Sequence, residues 1–176
     1  MRARRAAPLL LAAALAAGCG RKIAPEAPLL VIPARPEPLH VSQEGGDVVL
    51  RFPFPAKTAQ GTPLTNLTRV TVYREVVPAP KDPRAPEPPK EAVERERQEK
   101  LFRQRAEAIR DLPREELDAV TVGSEIVVRD PMNPLYLEKR LGRVYLRYGV
   151  TATRDRKRVS GLSPLVASRD LSRFVL

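Results

Sequence analysis

The chain has 176 residues with 31 basic and 21 acidic side chains, giving a net charge of +10. This length suits one domain with short appendages. A single histidine (His40) and a single cysteine (Cys19) cannot supply the ligands of an ordinary zinc site. The sequence also lacks a glycine-rich phosphate loop and the context of a catalytic triad. These observations predict no cofactor, no metal site and no catalytic residues.

Residues 1–18 have the three parts of a secretory signal peptide. Met1–Arg5 is basic, Ala6–Ala17 is an apolar run of 12 residues, and small residues follow it. The run is too short to span a bilayer, which requires roughly 20 residues. We therefore expect this segment to direct export and to be removed.

The end of this segment resembles the bacterial lipobox. Ala16-Ala17-Gly18 precedes Cys19, although the family prefers leucine where Ala16 stands. The resemblance implies cleavage before Cys19 and attachment there of diacylglycerol and a further acyl chain such as palmitate. An exported chain with one cysteine cannot form an internal disulfide, and acylation removes the free thiol. The alternative is an ordinary secretory signal that contains a cysteine by chance.

The lipobox resemblance also implies a location in the cell envelope. Gly20 stands where an aspartate often means retention at the inner membrane. We therefore expect a lipid-anchored protein of the outer membrane that faces the periplasm.

Residues 19–38 are rich in proline and predict an extended tether. Proline-rich segments behave as semi-rigid spacers of about 3.1 Å per residue. The folded domain is then expected over residues 39–176.

From residue 39 onward, apolar side chains recur at every second position, which indicates half-buried strands. A turn signal, Gly45-Gly46, separates the first two strand candidates. The segments that alternate in this way are 39–41, 48–52, 69–76, 124–129, 143–153 and 165–167. Several short strands between glycine and proline turns predict an all-β, antiparallel sandwich.

The order of these segments resembles a fibronectin type III domain, a β-sandwich of the immunoglobulin-like class. The resemblance rests on four runs whose spacing fits the family over about half of the chain: Gly46–Phe52, Val70–Arg74, Tyr148–Ala152 and Ser160–Pro164. Phe52 stands where the family has its core tryptophan, and the corner tyrosine could be Tyr145 or Tyr148. The whole chain is similar to bacterial lipoproteins that carry one such domain.

Residues 78–115 form an insertion that this family does not require. Pro78–Pro89 is rich in proline, and Lys90–Asp111 is a candidate charged helix with Glu–Lys and Glu–Arg pairs four residues apart. A thin apolar stripe lies in its second half, and Pro113 is expected to end it. The helix could pack this half against the sandwich or could bind a partner.

The positive charge is concentrated near the carboxyl end of the chain. The segment Lys139–Arg158 carries eight basic residues and one acid, a net charge of +7. We expect the segments 69–76 and 143–153, the third and sixth strands of the family fold, to pair and to align Arg69, Thr71 and Tyr73 with Arg143, Tyr145 and Arg147. The candidate binding residues for an anionic partner are Arg143, Arg147, Arg154, Arg156, Lys157 and Arg158. The alternative is a solvated cross-strand ladder without a ligand.

The sequence leaves two functions open. The first is a non-catalytic envelope protein, anchored to the membrane by its N-terminal lipid, that binds or scaffolds through the basic face. Its partner would be an anionic envelope polymer or protein, and nucleic acid is a poor candidate for an exported chain. The second is an accessory subunit of an envelope enzyme or transporter that docks through the inserted helix.

Overall fold

A computed structural model of the chain describes residues 31–78, 92–131, 144–155 and 157–167. These residues belong to one compact unit, Val31–Leu176. They form two antiparallel sheets and two short helices, which confirms the predicted all-β sandwich at this level. The predicted signal peptide and Cys19 lie outside the described residues.

The first sheet has the strand order β1-β2-β6-β5. Its strands are β1 (His40–Glu44), β2 (Asp47–Pro53), β5 (Thr121–Val122) and β6 (Glu125–Pro131). The predicted glycine turn joins β1 to β2, with Glu44 opposite Asp47. Gly45 has a φ of 62°, a left-handed conformation that favours glycine in a two-residue hairpin.

The second sheet has the order β4-β3-β7-β8, and β9 also pairs with β7. Its strands are β3 (Arg69–Pro78), β4 (Glu107–Pro113), β7 (Val144–Asp155), β8 (Arg158–Val159) and β9 (Val166–Ala167). The strands β3 and β7 pair over ten residues, as expected for the candidate segments 69–76 and 143–153. The alternating pattern does not predict the short strands β5 and β8 or the strand β4.

The core lies between the two sheets and follows the predicted alternation. In β2 the side chains of Val48, Leu50 and Phe52 are buried. In β7 the buried side chains that point into the same core are Leu146, Tyr148, Val150 and Ala152. Burial of large apolar side chains contributes about 1.5–3 kcal/mol each, and this alternation therefore determines which face of each strand points inward.

The predicted helix over Lys90–Asp111 was wrong for its last residues. The helix α1 spans Ala92–Arg105, and β4 follows it directly. Ile109 and Leu112 have helical spacing, but the strand that contains them pairs with β3 from Arg69↔Pro113 to Arg74↔Glu107, with Leu112 opposite Val70 and Ile109 at a register shift. The predicted insertion, residues 78–115, therefore contains an edge strand of the second sheet.

One aromatic side chain attaches α1 to the outer face of the second sheet. Phe102 is buried, and its Cε1 atom lies 3.0 Å from the position that a Cβ atom would take at Gly149. Leu162 and Leu165 approach the same position at 3.0 and 3.1 Å. Glycine in β7 therefore provides the space in which this small outer cluster packs. After Leu117, which ends the second helix α2 (Arg114–Leu117), a single 3-10 turn leads to β5.

The last part of the predicted tether is bound to the domain. The backbone amide of Ala34 donates to the Lys57 carbonyl (2.9 Å), and the amide of Ala59 donates to the Ile32 carbonyl (2.8 Å). Pro33 is buried and forms a bridge with Thr58. Residues 32–34, which the sequence assigns to the tether, therefore contact the folded domain.

The outer face of the first sheet is covered by ion pairs. Glu44 accepts hydrogen bonds from Arg51 (2.9 Å) and from Arg129 (2.8 Å). The side chains of these residues flank Val49, which is fully buried. The hydrogen bond from Arg51 and then that from Arg129 hold the pKa of Glu44 below its usual range. Because the pKa of Glu44 is lower in the folded chain than in the unfolded chain, this carboxylate stabilises the fold at pH values above its unfolded pKa. The stabilisation is lost as the pH falls through the lowered, folded pKa.

We expect Phe102→Ala to lower the free energy of unfolding by about 3 kcal/mol, because it removes a buried ring and leaves a cavity. Leu101→Ala, at the half-buried neighbouring position, is the matched control and should cost about 1 kcal/mol or less. Urea denaturation with the same m-value for each variant measures both. Equal losses would show that Phe102 does not anchor the helix.

Candidate functional site

The structure describes four of the six predicted anion-binding residues. Arg143 and Arg156 lie outside the described residues, as does the predicted lipid-attachment residue Cys19. The described members fall into two different environments. Arg147 lies under the helix α1, whereas Arg154, Lys157 and Arg158 lie at the hairpin between β7 and β8.

Arg147 does not belong to an open basic face. The expected alignment of Arg69 with the arginines of β7 was wrong in register: Arg69 lies opposite Thr153, and Arg147 lies opposite Glu75. Arg147 donates through Nε to Glu75 (3.0 Å), and these side chains are only 14% and 3% exposed. Its Nη1 atom also donates to Gln98 of α1 (3.0 Å). This guanidinium therefore connects the helix to the sheet and is not available to an external anion.

The hairpin after β7 presents basic side chains to solvent. Asp155 accepts hydrogen bonds from the backbone amides of Lys157 (3.0 Å) and Arg158 (3.1 Å), which fixes the turn. Lys157 and Arg158 are exposed. A register shift between Thr153 and Asp155 places Arg154 at a bulge. Its Nη1 atom is shielded from solvent and has no hydrogen-bond acceptor among the described residues.

A second charged group lies at the opposite side of the sandwich and connects the two sheets. Both carboxylate oxygens of Asp130, in β6, accept hydrogen bonds from Nη1 of Arg74 at 3.0 Å. The buried hydroxyl of Tyr148 donates to Asp130 at 2.8 Å. Arg74 also donates to Glu107 of β4, through Nε at 3.1 Å and through Nη2. Four side chains from four strands are thus joined by hydrogen bonds around Arg74 and Asp130.

The electrostatics of this group keep Arg74 protonated. Burial acts against the charged form, but the hydrogen bond with Glu107 and the negative charge of Asp130 outweigh it and raise the pKa of Arg74. A buried ion pair is stable only when such additional hydrogen bonds offset its desolvation. The group therefore joins β3 and β6 at a fixed distance.

An open cleft of about 520 Å³ lies beside this group. Its charged lining consists of Arg74, Glu107, Arg110, Arg129 and Asp130. Its apolar lining consists of Ala108, Ile109 and Pro131. The cleft lies where the edge strand β4 faces the end of β6, and no pattern in the sequence predicts it.

The residues of this cleft come from distant parts of the chain, which is why sequence reasoning misses them. Arg74 and Asp130 are 56 residues apart, and Arg74 and Glu107 are 33 apart. The sequence pattern places Glu107 in a helix, and it marks Asp130 only as the end of a strand before a proline. The sequence contained one signal for this group, which is the position of Asp130 on the inward side of a strand. A buried charged side chain of this kind requires a partner.

Over residues 31–78, 92–131, 144–155 and 157–167, no helix is long and apolar enough to cross a membrane. The same residues contain no group of three or more histidine, cysteine, aspartate or glutamate side chains placed to hold a metal ion. No protein-family model, curated protein or solved structure matches the chain.

We expect Asp130→Ala to lower the free energy of unfolding by about 3 kcal/mol, because it leaves Arg74 partly buried without its main carboxylate partner. Tyr148→Phe keeps the ring but removes one hydrogen bond, and it should cost about 1–2 kcal/mol. Arg69→Gln, in an exposed ion pair with Asp111, is the control and should change stability by less than about 0.5 kcal/mol. Chemical denaturation measures all three. A Tyr148→Phe variant as stable as the wild type would contradict the proposed role of the hydroxyl.

Proposed function

We propose that this chain is a lipid-anchored protein of the bacterial cell envelope that binds or scaffolds without catalysis. The anchor is supported by the basic, apolar and small-residue order of residues 1–18 and by the position of Cys19 after them. One acyl chain binds a membrane only marginally, whereas two or more on one residue anchor it stably. The order of residues around Cys19 favours the outer membrane, with the domain in the periplasm.

The anchor and the domain are close in sequence. Among the described residues, Ile32 is the first that hydrogen-bonds to the body of the domain, and 12 residues separate it from Cys19. At about 3.1 Å per residue, an extended proline-rich spacer of this length reaches roughly 40 Å. This distance keeps the domain beside the membrane and its adjacent polymers.

Lipid attachment is tested by Cys19→Ser. The variant should lose processing before residue 19 and should move from the detergent phase to the aqueous phase in detergent partition. The reason is that serine has no thiol to accept the diacylglycerol. Metabolic labelling with a fatty acid provides a second measurement and should fall to background. Gly20→Ser is the control and should retain both properties. A Cys19→Ser variant that is processed to the same size and stays in the membrane would contradict the anchor.

The fold proposed within this function is of the fibronectin type III type. The strand orders β1-β2-β6-β5 and β3-β7-β8 support it, because immunoglobulin-like sandwiches pair their strands in the orders ABED and CFG. β4 then extends the second sheet beyond β3. Phe52, at the position of the family's tryptophan, is fully buried, and Tyr148 is the buried one of the two candidate corner tyrosines. Such domains commonly serve as binding modules and not as enzymes.

The observation that carries the binding function is the basic hairpin, which we define as Arg154–Arg158. It contains four basic residues and one acid, Asp155. The Asp155 carboxylate accepts hydrogen bonds from backbone amides of the turn and lies 3.6 Å from Nε of Arg158. Lys157 and Arg158 are exposed to solvent, and arginine forks fit external phosphate and carboxylate groups. The proposed partner is therefore an anionic polymer or protein of the envelope.

The hairpin is tested by binding of the purified chain to anionic and neutral vesicles and to cell-wall fragments. Changing Arg154, Arg156, Lys157 and Arg158 to glutamine should weaken binding at least tenfold, because each basic residue near an anionic surface contributes about 1 kcal/mol. Binding of the wild type should also fall as ionic strength shortens the screening length from about 30 Å to about 8 Å.

A matched control removes four exposed charges elsewhere: Arg95, Lys100, Arg103 and Arg105 of α1, each changed to glutamine. All four lie outside the ion pairs among the described residues. This variant has the same net charge as the hairpin variant. If the position of the charges and not their total number determines binding, it should bind like the wild type. Equal losses in both variants, or no binding by the wild type at low salt, would contradict the hairpin proposal.

A second candidate function is that of an accessory subunit that docks through α1. It is favoured by Val93, an apolar side chain of the first helical turns that is 78% exposed. The C-terminal half of the helix packs on the sheet through Phe102, which leaves the first half available. Val93→Ser separates the two functions, since it should disturb a helix that docks through this side chain and leave the hairpin intact.

A further inference from the structure

The cleft beside Arg74 has an asymmetric charge. Three arginines and two carboxylates line it, so its net charge is +1. Arg74 and Asp130 hold each other, and Arg74 also holds one oxygen of Glu107. The charged groups that are available to a ligand therefore lie on the exposed rim and not in this inner pair.

The rim offers both signs of charge. Arg110 is exposed and has no ion-pair partner among the residues that the structure describes. Arg129 reaches Glu44 and Asp47 on the outer face, but its side chain is still 54% exposed. Glu107 uses Oε1 for Arg74, and its Oε2 atom has no partner within the same residues. Two guanidinium donors and one carboxylate acceptor therefore surround the opening.

The backbone around the cleft is also open. β4 pairs only with β3, so its other edge has no neighbouring strand within the described ranges. β5 pairs with β6 only at Glu125 and Ile126, which leaves the same side of β6 beyond Ile126 without a strand in the part of the chain that the structure describes. Edges of this kind can donate to and accept from an amide. Ala108, Ile109 and Pro131 add an apolar wall for a carbon skeleton.

We propose that this cleft binds a small acidic peptide through its side-chain carboxylate. The carboxylate would contact Arg110 and Arg129, an amine or amide would donate to Glu107, and the carbon skeleton would lie on Ile109. A net charge of +1 suits a carboxylate better than a phosphate dianion, because Glu107 and Asp130 repel the second charge. The volume lies within the range of small-molecule sites, about 300–1,000 Å³. Since the cleft is open and polar, the dissociation constant should be on the order of 1 mM.

Binding in the cleft does not depend on the anionic partner of the basic hairpin. The hairpin and the cleft share no residue, and the ligand classes differ in size and charge. A chain whose four hairpin charges are changed to glutamine should therefore retain the response of the cleft.

Methyl NMR of the full-length chain in detergent micelles provides the test. The chain has four isoleucines, Ile23, Ile32, Ile109 and Ile126. Ile109 lines the cleft, whereas Ile126 is fully buried in the core and serves as an internal reference. The probes are alanyl-glutamate, the matched alanyl-glutamine without the side-chain carboxylate, and inorganic phosphate.

Alanyl-glutamate should shift the Ile109 methyl signal in a saturable way and leave Ile126 unchanged. Alanyl-glutamine and phosphate should bind several-fold more weakly. Arg110→Gln should weaken binding of alanyl-glutamate about tenfold, because it removes a charge-assisted hydrogen bond. Arg95→Gln, at an exposed position of α1, is the matched control and should not change it.

Three results would overturn the proposal. The first is an Ile109 signal that does not respond or does not saturate. The second is equal binding of phosphate, which would mark a general anion site. The third is an unchanged affinity for alanyl-glutamate in Arg110→Gln, which would place the ligand elsewhere.

Discussion

The pairing of β3 with β7 is the constraint on which the rest of the structure depends. It runs without a break from Arg69↔Thr153 to Pro78↔Val144, and β4, β8 and β9 are added at its two sides. A slip of one residue would move every side chain of a strand to the opposite face. The same register that buries Val72 and Val150 therefore brings Glu75 opposite Arg147 on the outer face.

Register also decides which charges are used inside the protein. Arg147 is occupied by Glu75 and by the helix α1, and Arg74 is occupied by two acids from different strands. These pairs cost desolvation energy, which their multiple hydrogen bonds offset. The charges that remain for external ligands are those at the ends and edges of the sheets: the basic hairpin after β7 and the rim of the cleft beside β4.

Alternation predicts the longer strands well, since β2, β3, β6 and β7 all lie within two residues of the segments found in the sequence. It does not predict the two-residue strands β5 and β8, which are too short to show a period. Residues 107–113 have a helical pattern because Ile109 and Leu112 are three residues apart. The exposed edge of β3 offered their backbone hydrogen-bond partners, and this tertiary pairing overrode the local pattern.

The sequence alone determined which side chains enter the core, where the glycine hairpin turns and where the positive charge accumulates, because these properties depend on neighbours in the chain. It also contains the whole basis for the proposed export and lipid anchor. The tertiary structure alone decided which partner each charge meets. Tyr148 and Asp130 are 18 residues apart, and Arg147 and Glu75 are 72 apart. Such contacts depend on strand register and sheet packing, which no local period in the sequence encodes.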